Sequence, residues 1–338
     1  MVSGPVLVLV AAISVCNWLI YENARTSPVW IEEPLAKSLF ALERVREGER
    51  LDVVFVGSSR TQYHIDSEII EKTLGIRVFN YGLPGRELDD YPYVVARAAA
   101  MRPATIVIAF PYEALVRDTT CSRLPNTLAE IRFYLRNGRY DCIVSGGLAR
   151  IVQTLPMNRF RAFTAERQLR DEDLEKTWLE QVHGYDVTGD PRRVNYIRGI
   201  RDHLVVTYAN GDAQAFDADH TRQARPRRPH ELQAARLNPG VLEYLRQLAG
   251  IATDQGIDVL YVIEPGHSDR RAVMPSPVIA RINDTLPDGV SLVNLDAPEI
   301  LTSMWADSNH LDLRGTRIYS RLLADTLGSR GLDGKRVH

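Results

Sequence analysis

Two serines follow directly on a short apolar run. Residues 53–56 read Val-Val-Phe-Val and lead into Gly57-Ser58-Ser59, a pattern typical of a buried strand that ends in a tight turn. In open parallel α/β sheets the ligand site lies at the carboxyl ends of the strands. A serine hydroxyl at that edge is therefore a candidate nucleophile, although an ordinary turn has the same composition.

Asp307 and His310 supply the groups that could activate such a hydroxyl. Their spacing of three residues puts both side chains on one side of a turn or first helical turn, where the carboxylate can accept a hydrogen bond from imidazole Nδ1. Nε2 is then left to take the proton of a serine hydroxyl. The D-x-x-H pattern alone is common in surface turns. Together with a strand-end serine, it predicts a nucleophile, a base and an orienting carboxylate.

The order of apolar segments predicts an α/β fold with a parallel sheet. Asp66 or Ser67 is a candidate cap for the helix that follows the serines, and Gly75 is placed to end it. Strands are predicted at residues 53–56, 76–80, 104–110, 258–263 and 290–295, and helices at 69–74, 87–101, 241–255 and 316–327.

The stretch between Glu113 and about Pro239 departs from this rhythm. It is mostly polar and predicts a long, mostly helical insertion, for example over residues 128–134. It also contains the basic segment 222–230, R-Q-A-R-P-R-R-P-H. That segment could hold an anionic glycan or a lipid headgroup, or could be a solvated loop.

The composition excludes several classes of function. The 338 residues are 45% hydrophobic and 25% charged, which is ordinary for a globular protein of one large or two modest domains. A net charge of -2 provides no overall field for nucleic acid, so no nucleic-acid partner is expected. Cys16, Cys121 and Cys142 lack zinc-site spacing, and neither a metal nor another cofactor is expected. Cys121 and Cys142 could form a disulfide in an oxidising compartment, or remain buried free thiols.

The N-terminus carries an uncharged apolar segment, residues 6–21, in which Asn17 is the strongly polar residue. With the residues before it, this segment is long enough for a bilayer-spanning helix, and Trp18 and Tyr21 suit the membrane interface. Residues 1–22 therefore predict a single membrane anchor, with a cleaved signal peptide as the alternative. We expect a linker with a short helix over residues 23–50, one folded domain over 51–330 and a tail over 331–338.

Three short motifs resemble blocks of a known superfamily. Gly57-Ser58-Ser59, the stretch from Asn80 to Gly85 (N-Y-G-L-P-G), and Asp307-Ser308-Asn309-His310-Leu311 followed by Gly315 are similar to the first, second and fifth blocks of the SGNH (GDSL-like) hydrolases. The resemblance extends over residues 51–327. It implies a three-layer α/β/α sandwich with a flavodoxin-like parallel sheet. The apolar N-terminus, G-S-S-R-T and W-x-D-x-N-H-L look most like the membrane-anchored proteins of polysaccharide O-acetylation and D-alanyl transfer.

The resemblance also implies roles for individual residues. Ser59 would be the nucleophile, His310 the general base and Asp307 its orienting carboxylate, while the backbone N–H groups of Ser59 and Gly85 would form the oxyanion hole. The asparagine of the family's third block is absent, since Pro111-Tyr112-Glu113 follows the third strand. Tyr112 or another group would substitute for it, or the enzyme would be slow or need a partner.

Further side chains are candidates for substrate contacts. Arg60 and His64 could bind an anionic or sugar substrate, or could be a solvated arginine at a helix start and a packed histidine. Glu264 and His267 follow the fourth strand and are expected at the rim of the site, with either a binding or a loop role.

The resulting expectation is a serine-dependent O-acyltransferase that passes an acyl group, most simply acetyl, to an exported polysaccharide through an acyl-serine. A membrane-bound O-acyltransferase would deliver the acyl group. The protein would be a single-pass protein of the cytoplasmic membrane, with its catalytic domain on the extracytoplasmic (periplasmic) side. Two alternatives stay open, a carbohydrate or lipid esterase of the same fold and a non-catalytic glycan-binding scaffold.

Overall fold

A computed structural model gives the architecture of the chain. It describes residues 45, 48–83, 86, 88–115, 128–140, 142, 194–200, 203–208, 213–217, 239–266, 276–295, 297–305 and 309–332. The chain divides into two compact units. One unit contains Lys37–Thr119 and Val187–His338 and holds the predicted strands; the other contains Thr120–Asp186.

A five-stranded parallel sheet forms the centre of the larger unit. Its strands are β1 (Val53–Gly57), β2 (Val78–Gly82), β3 (Thr105–Pro111), β7 (Asp258–Glu264) and β8 (Val290–Asn294). They lie in the order β2-β1-β3-β7-β8, and all neighbours are parallel. Counted among themselves, the strands follow the order 2-1-3-4-5, in which the chain changes direction across the sheet between β1 and β3. In doubly wound sheets the ligand crevice lies at this switch point.

Helices cover both faces of this sheet. They are α1 (Ser59–His64), α2 (Ser67–Leu74), α3 (Tyr91–Ala99), α5 (Pro239–Thr253), α6 (Ser276–Asn283) and α7 (Leu313–Ser329). Alternate strand residues point to opposite faces, so Val54 and Ile106 pack with α3, α5 and α6, while Val53 and Val107 pack with α2 and α7. The α/β class predicted from the sequence is therefore what the structure has.

Local sequence signals account for several element ends. Asp66 caps α2 by accepting a hydrogen bond from the Ile69 N–H, and Gly75 ends the helix with φ 68°, a conformation that glycine adopts without a steric penalty. The second strand begins two residues later than predicted, at Val78, and its described pairing runs to Gly82. Neither α1 nor α6 was predicted as a helix. Both are short, six and eight residues, which leaves little periodicity to detect.

The described part of the insertion includes strands that were not predicted. It contains α4 (Leu128–Arg136) in the smaller unit, but the larger unit has three antiparallel strands here, β4 (Val194–Ile200), β5 (His203–Tyr208) and β6 (Ala213–Asp217). These strands were missed because the polar composition of the whole stretch obscured two short runs rich in β-branched and aromatic residues, Val-Asn-Tyr-Ile and Leu-Val-Val-Thr-Tyr. Such residues favour strands, and Asn210-Gly211 between β5 and β6 is a common hairpin dipeptide.

Several predicted segments lie outside the described residues. These are the anchor or signal peptide at residues 1–22, nearly all of the linker at 23–50, the basic segment 222–230 and most of the tail. In the part of the chain that the structure does describe, no helix has both the length and the apolar character needed to span a bilayer. Cys142 is buried and disulfide-bonded, while Cys121, its suggested partner, lies outside the described residues.

Candidate active site

The Ser59 hydroxyl lies within hydrogen-bond distance of an imidazole. His310 Nε2 is 2.9 Å from Ser59 Oγ, although the two residues are 251 positions apart in the chain. Both side chains are partly exposed, so a substrate can reach them. The pair sits beyond the carboxyl end of β1, next to the switch point between β1 and β3. This is the geometry that a serine nucleophile and its general base require.

The Ser58 side chain has a structural role. It is the N-cap of α1, and its Oγ accepts a hydrogen bond from the Arg60 N–H at 3.2 Å. The Ser58 side chain also hydrogen-bonds with the Tyr91 hydroxyl, which itself donates to the Ala109 carbonyl. Ser59 is the first residue of the helix, a position whose backbone N–H has no acceptor within the helix. Ser59 thus combines a hydroxyl facing the base with an N–H that is available to an oxyanion.

Gly57 lets α1 start directly against the sheet. A Cβ at this position would stand 1.8 Å from Thr61 Oγ1 and 2.9 Å from the Ala109 carbonyl oxygen, distances that no side chain tolerates. The space is filled instead by the Thr61 hydroxyl, which donates a 2.8 Å hydrogen bond to Glu264 Oε1. The close packing of α1 on the sheet therefore requires glycine at position 57, independently of the turn.

Asn80 braces the other side of the helix. From the middle of β2, its Nδ2 donates to the carbonyl oxygens of Thr61 at 3.1 Å and Gln62 at 3.4 Å, and its Oδ1 accepts from the Gly82 N–H. A Cβ at Gly82 would lie 2.4 Å from the Gln62 nitrogen. The motif that resembles the family's second block thus contributes to holding α1, the helix that starts at Ser59, in place.

His310 lies shortly before α7, outside any helix or strand. Trp305 and Leu311 form an isolated antiparallel bridge, and the Asp312 N–H donates to the Met304 carbonyl at 2.8 Å. Asp312 then caps α7 by accepting from the N–H groups of Arg314 and Gly315, both at 2.9 Å. Together these bonds fix the start of α7 and the residues just before it.

Helix α1 also contacts this segment. His64 Nε2 lies 3.1 Å from the Asn309 carbonyl oxygen; since a carbonyl only accepts, that nitrogen carries the proton. The His64 ring is fully buried, with edge contacts to Trp305 and Tyr319. The structure therefore supports the interpretation of His64 as a packed histidine. The Tyr63 ring meets the His310 ring edge to face, with centroids 5.1 Å apart.

Arg60 is not a solvated residue at a helix start. It is 8% exposed, its Nη2 donates to Asn309 Oδ1 at 3.4 Å, and its Nη1 lies 4.0 Å from Glu113 Oε2. Its side chain thus links α1 to the histidine segment and to the turn after β3. An arginine in this position suits a bridging role better than an open contact with substrate.

Glu264 was expected at the rim of the site, but it is buried. The carboxyl is 2% exposed at the end of β7, beside Pro111 in the register of β3 and β7. Burial raises its pKa from 4.5 to about 7; the nearby Arg60 charge and the Thr61 hydrogen bond oppose this shift, and Glu113 adds to it. Sequence reasoning did not single out Thr61, because nothing in the pattern shows that its hydroxyl faces a carboxyl 203 residues away.

The remaining predicted residues divide into two groups. Tyr112 begins a short turn of 3₁₀-helix, is 5% exposed and belongs to the apolar core, which leaves little of it for a substrate. Asp307, Gly85 and His267 lie outside the described residues. Within the described residues, no group of His, Cys, Asp or Glu side chains could hold a metal ion.

The antiparallel sheet of β4, β5 and β6 borders this region, because the backbone of its edge strand β6 runs close to α1.

Comparison with known proteins does not identify the chain: no protein-family model matches the sequence, and no curated protein is significantly similar to it.

Proposed function

We propose that the chain is a serine-dependent O-acyltransferase of SGNH type, with a flavodoxin-like sheet, that acylates a polysaccharide through an acyl-serine intermediate. The observation that carries the proposal is the 2.9 Å contact between Ser59 Oγ and His310 Nε2 at the switch point of a parallel sheet. The three sequence motifs that resemble the superfamily supply the rest.

The first half-reaction acylates the enzyme. Ser59 Oγ attacks the carbonyl carbon of the donor while His310 Nε2 takes the hydroxyl proton. The carbonyl oxygen becomes an oxyanion, to which the Ser59 N–H can donate, with the Gly85 N–H as the second donor implied by the resemblance. The bond to the donor's leaving group then breaks, His310 returns the proton to that group, and an ester of Ser59 remains.

The second half-reaction transfers the acyl group. A sugar hydroxyl attacks the ester carbonyl as His310 Nε2 accepts its proton, and the bond between the acyl carbon and Ser59 Oγ breaks. The proton passes from His310 to Ser59 Oγ, so the enzyme returns to its starting state. Asp307 would orient the imidazole, as the spacing of the motif predicts. Water in place of the sugar would make the same site an esterase.

The proposal includes a setting taken from the resemblance. The apolar N-terminus would anchor the protein in the cytoplasmic membrane with the site on the extracytoplasmic side. A membrane-bound O-acyltransferase would then be the natural source of acyl groups, and a nascent polysaccharide the acceptor.

The test measures acyl-enzyme formation on the purified full-length chain. With p-nitrophenyl acetate, we expect release of nitrophenol and an acetyl group on the peptide that contains Ser59, detected by mass spectrometry. Ser59→Ala should lower the rate by about 10³-fold or more. Ser58→Ala is the matched control: it removes the helix cap at about 1 kcal/mol of stability, yet it should still become acetylated at Ser59.

Equal nitrophenol release from the wild type and Ser59→Ala would rule out the serine mechanism and leave the non-catalytic scaffold. Transfer is separated from hydrolysis by adding oligosaccharides to the enzyme together with the acetyl donor. An O-acetylated oligosaccharide supports the transferase, whereas free acetate alone would make the chain an esterase.

A further inference from the structure

The Thr61–Glu264 contact is a buried polar pair directly beneath the nucleophile helix. Thr61 Oγ1 donates to Glu264 Oε1 at 2.8 Å, and both residues are inaccessible to solvent or nearly so. Burying a carboxyl is unfavourable unless its oxygens are hydrogen-bonded or its charge is balanced. The proposed acyl transfer uses neither residue, so this unfavourable burial needs another explanation.

The chain around the pair is arranged to allow the contact. Gly57 has no Cβ, and only this absence leaves room for the Thr61 hydroxyl to reach down to the sheet. Ser59 is two residues before Thr61 on the same short helix. A hydrogen bond at Thr61 therefore limits both the rotation and the translation of α1, and with them the position of Ser59 Oγ relative to His310.

The charges that face Glu264 come from each element packed around it. Helix α1 contributes Arg60, and the turn after β3 contributes Glu113. Helix α3 contributes the Tyr91 hydroxyl and α7 the Tyr319 hydroxyl; burial raises the pKa of each tyrosine, and the negative charge of Glu264 adds to this shift. Arg60 is the single cation among these groups, and it reaches Asn309 beside the base.

We propose that Glu264 is a positioning residue for the nucleophile, which in its ionised form fixes α1 through the Thr61 hydroxyl and balances the charge of Arg60. This inference rests on the proposed function, which it deepens by making the reactivity of Ser59 depend on the ionisation of Glu264. Protonation of Glu264 weakens the bond to Thr61, because hydrogen bonds to charged groups are stronger than those to neutral ones.

The experiment measures the rate at which a fluorophosphonate labels Ser59 in the full-length chain from pH 5 to pH 9. The variants are Glu264→Gln, which keeps an acceptor for Thr61 but removes the charge, and Thr61→Val, which removes the donor. Thr61→Ser is the conservative variant that keeps the hydroxyl. Asp258→Asn is the matched control, an exposed carboxylate at the opposite end of the same strand.

In the wild type, protonation of Glu264 should lower labelling by about tenfold between pH 8 and pH 5, beyond any fall that Glu264→Gln shows over the same range. Glu264→Gln should be labelled about tenfold more slowly than the wild type at pH 8, and the two rates should converge at pH 5. Thr61→Val should raise the pKa of Glu264, because the Glu264 carboxylate loses the hydroxyl that donates to it. Thr61→Ser and Asp258→Asn should follow the wild-type profile.

A second readout does not depend on serine chemistry. Hydrogen exchange of the amides in residues 59–64 should be about tenfold faster in Thr61→Val than in Thr61→Ser. Absence of wild-type labelling at Ser59 would defeat the proposed function, and exchange would still decide the positioning role. Normal labelling with identical pH profiles and exchange in all variants would overturn the positioning role alone.

Discussion

The serine and the histidine of the site are held in different ways. Ser59 starts a helix wedged between the ends of β1 and β2, where Gly57, Ser58, Thr61 and Asn80 each have a distinct contact. His310 itself lies outside any helix or strand, and the described contacts around it include the Trp305–Leu311 bridge, the cap of α7 and bonds from α1. Ser59 thus stands on a regular helix packed against the sheet, whereas His310 lies outside any helix or strand.

This difference matters for catalysis and for tolerance to change. Removing one contact near Ser59 leaves a buried group without its partner or forces a clash, and such changes are strongly destabilising. Removing one contact near His310 mainly alters the position of a partly exposed segment. Four substitutions test this comparison, two on each side.

The largest effect is expected at Gly57. Its replacement by alanine would put Cβ 1.8 Å from Thr61 Oγ1 and 2.9 Å from a backbone carbonyl oxygen, so the start of α1 has to move. We expect the free energy of unfolding to fall by about 3 kcal/mol or more, measured by denaturant titration. Gly250→Ala in α5 is the control, because nothing lies within 4 Å of its Cβ, and it should be neutral or slightly stabilising. Similar losses in both variants would contradict the comparison.

Glu264, beside the Ser59 helix, should make the stability of the protein depend on pH. The pKa of Glu264 is raised from 4.5 to about 7, so its contribution to stability is fully present below about pH 4.5 and is lost as pH rises through 7. Between pH 5 and pH 8, the wild type should therefore lose up to about 3 kcal/mol relative to Glu264→Gln. Thermal unfolding of both proteins across this range provides the measurement. Parallel stability curves would show that the carboxyl does not titrate in this window.

On the histidine side, Gly315→Ala should have a smaller effect on stability but a clear effect on reactivity. The added Cβ would lie 2.8 Å from the Met304 carbonyl oxygen, and relief of this contact shifts the segment that carries His310. We expect a loss of about 2 kcal/mol and labelling of Ser59 that is slower by about tenfold or more. Gly328→Ala in the same helix is the control, since its Cβ would meet only the end of the Leu74 side chain.

The smallest effect is expected at Asp312. Its replacement by alanine removes the cap of α7 at about 1 kcal/mol, while Asp312→Asn should keep most of the capping. Unfolding free energies of the two variants give the comparison. A loss from Asp312→Ala as large as that from Gly57→Ala would show that the histidine segment is as tightly determined as the serine turn.

The sequence predicted the sheet well because its strands are buried on both faces. Continuous apolar runs such as 53–56 and 104–110, separated by helix caps at Asp66 and Gly75, read directly as alternating strands and helices. The antiparallel strands β4, β5 and β6 escaped prediction because short, partly polar strands carry a weak pattern within a polar stretch.

What the sequence by itself determined is the α/β class and the pair of motifs, Gly57-Ser58-Ser59 and the D-x-x-H segment, that carry candidate catalytic groups. Local composition suffices for these, because strands, turns and caps depend on neighbouring residues. The resemblance had already assigned the nucleophile role to Ser59. Only the tertiary structure decided that its hydroxyl meets His310, that Arg60 bridges two loops, and that Glu264 is buried against Thr61. These outcomes depend on contacts between residues some 200 to 250 positions apart, which only the register of the sheet and the packing of its helices bring together.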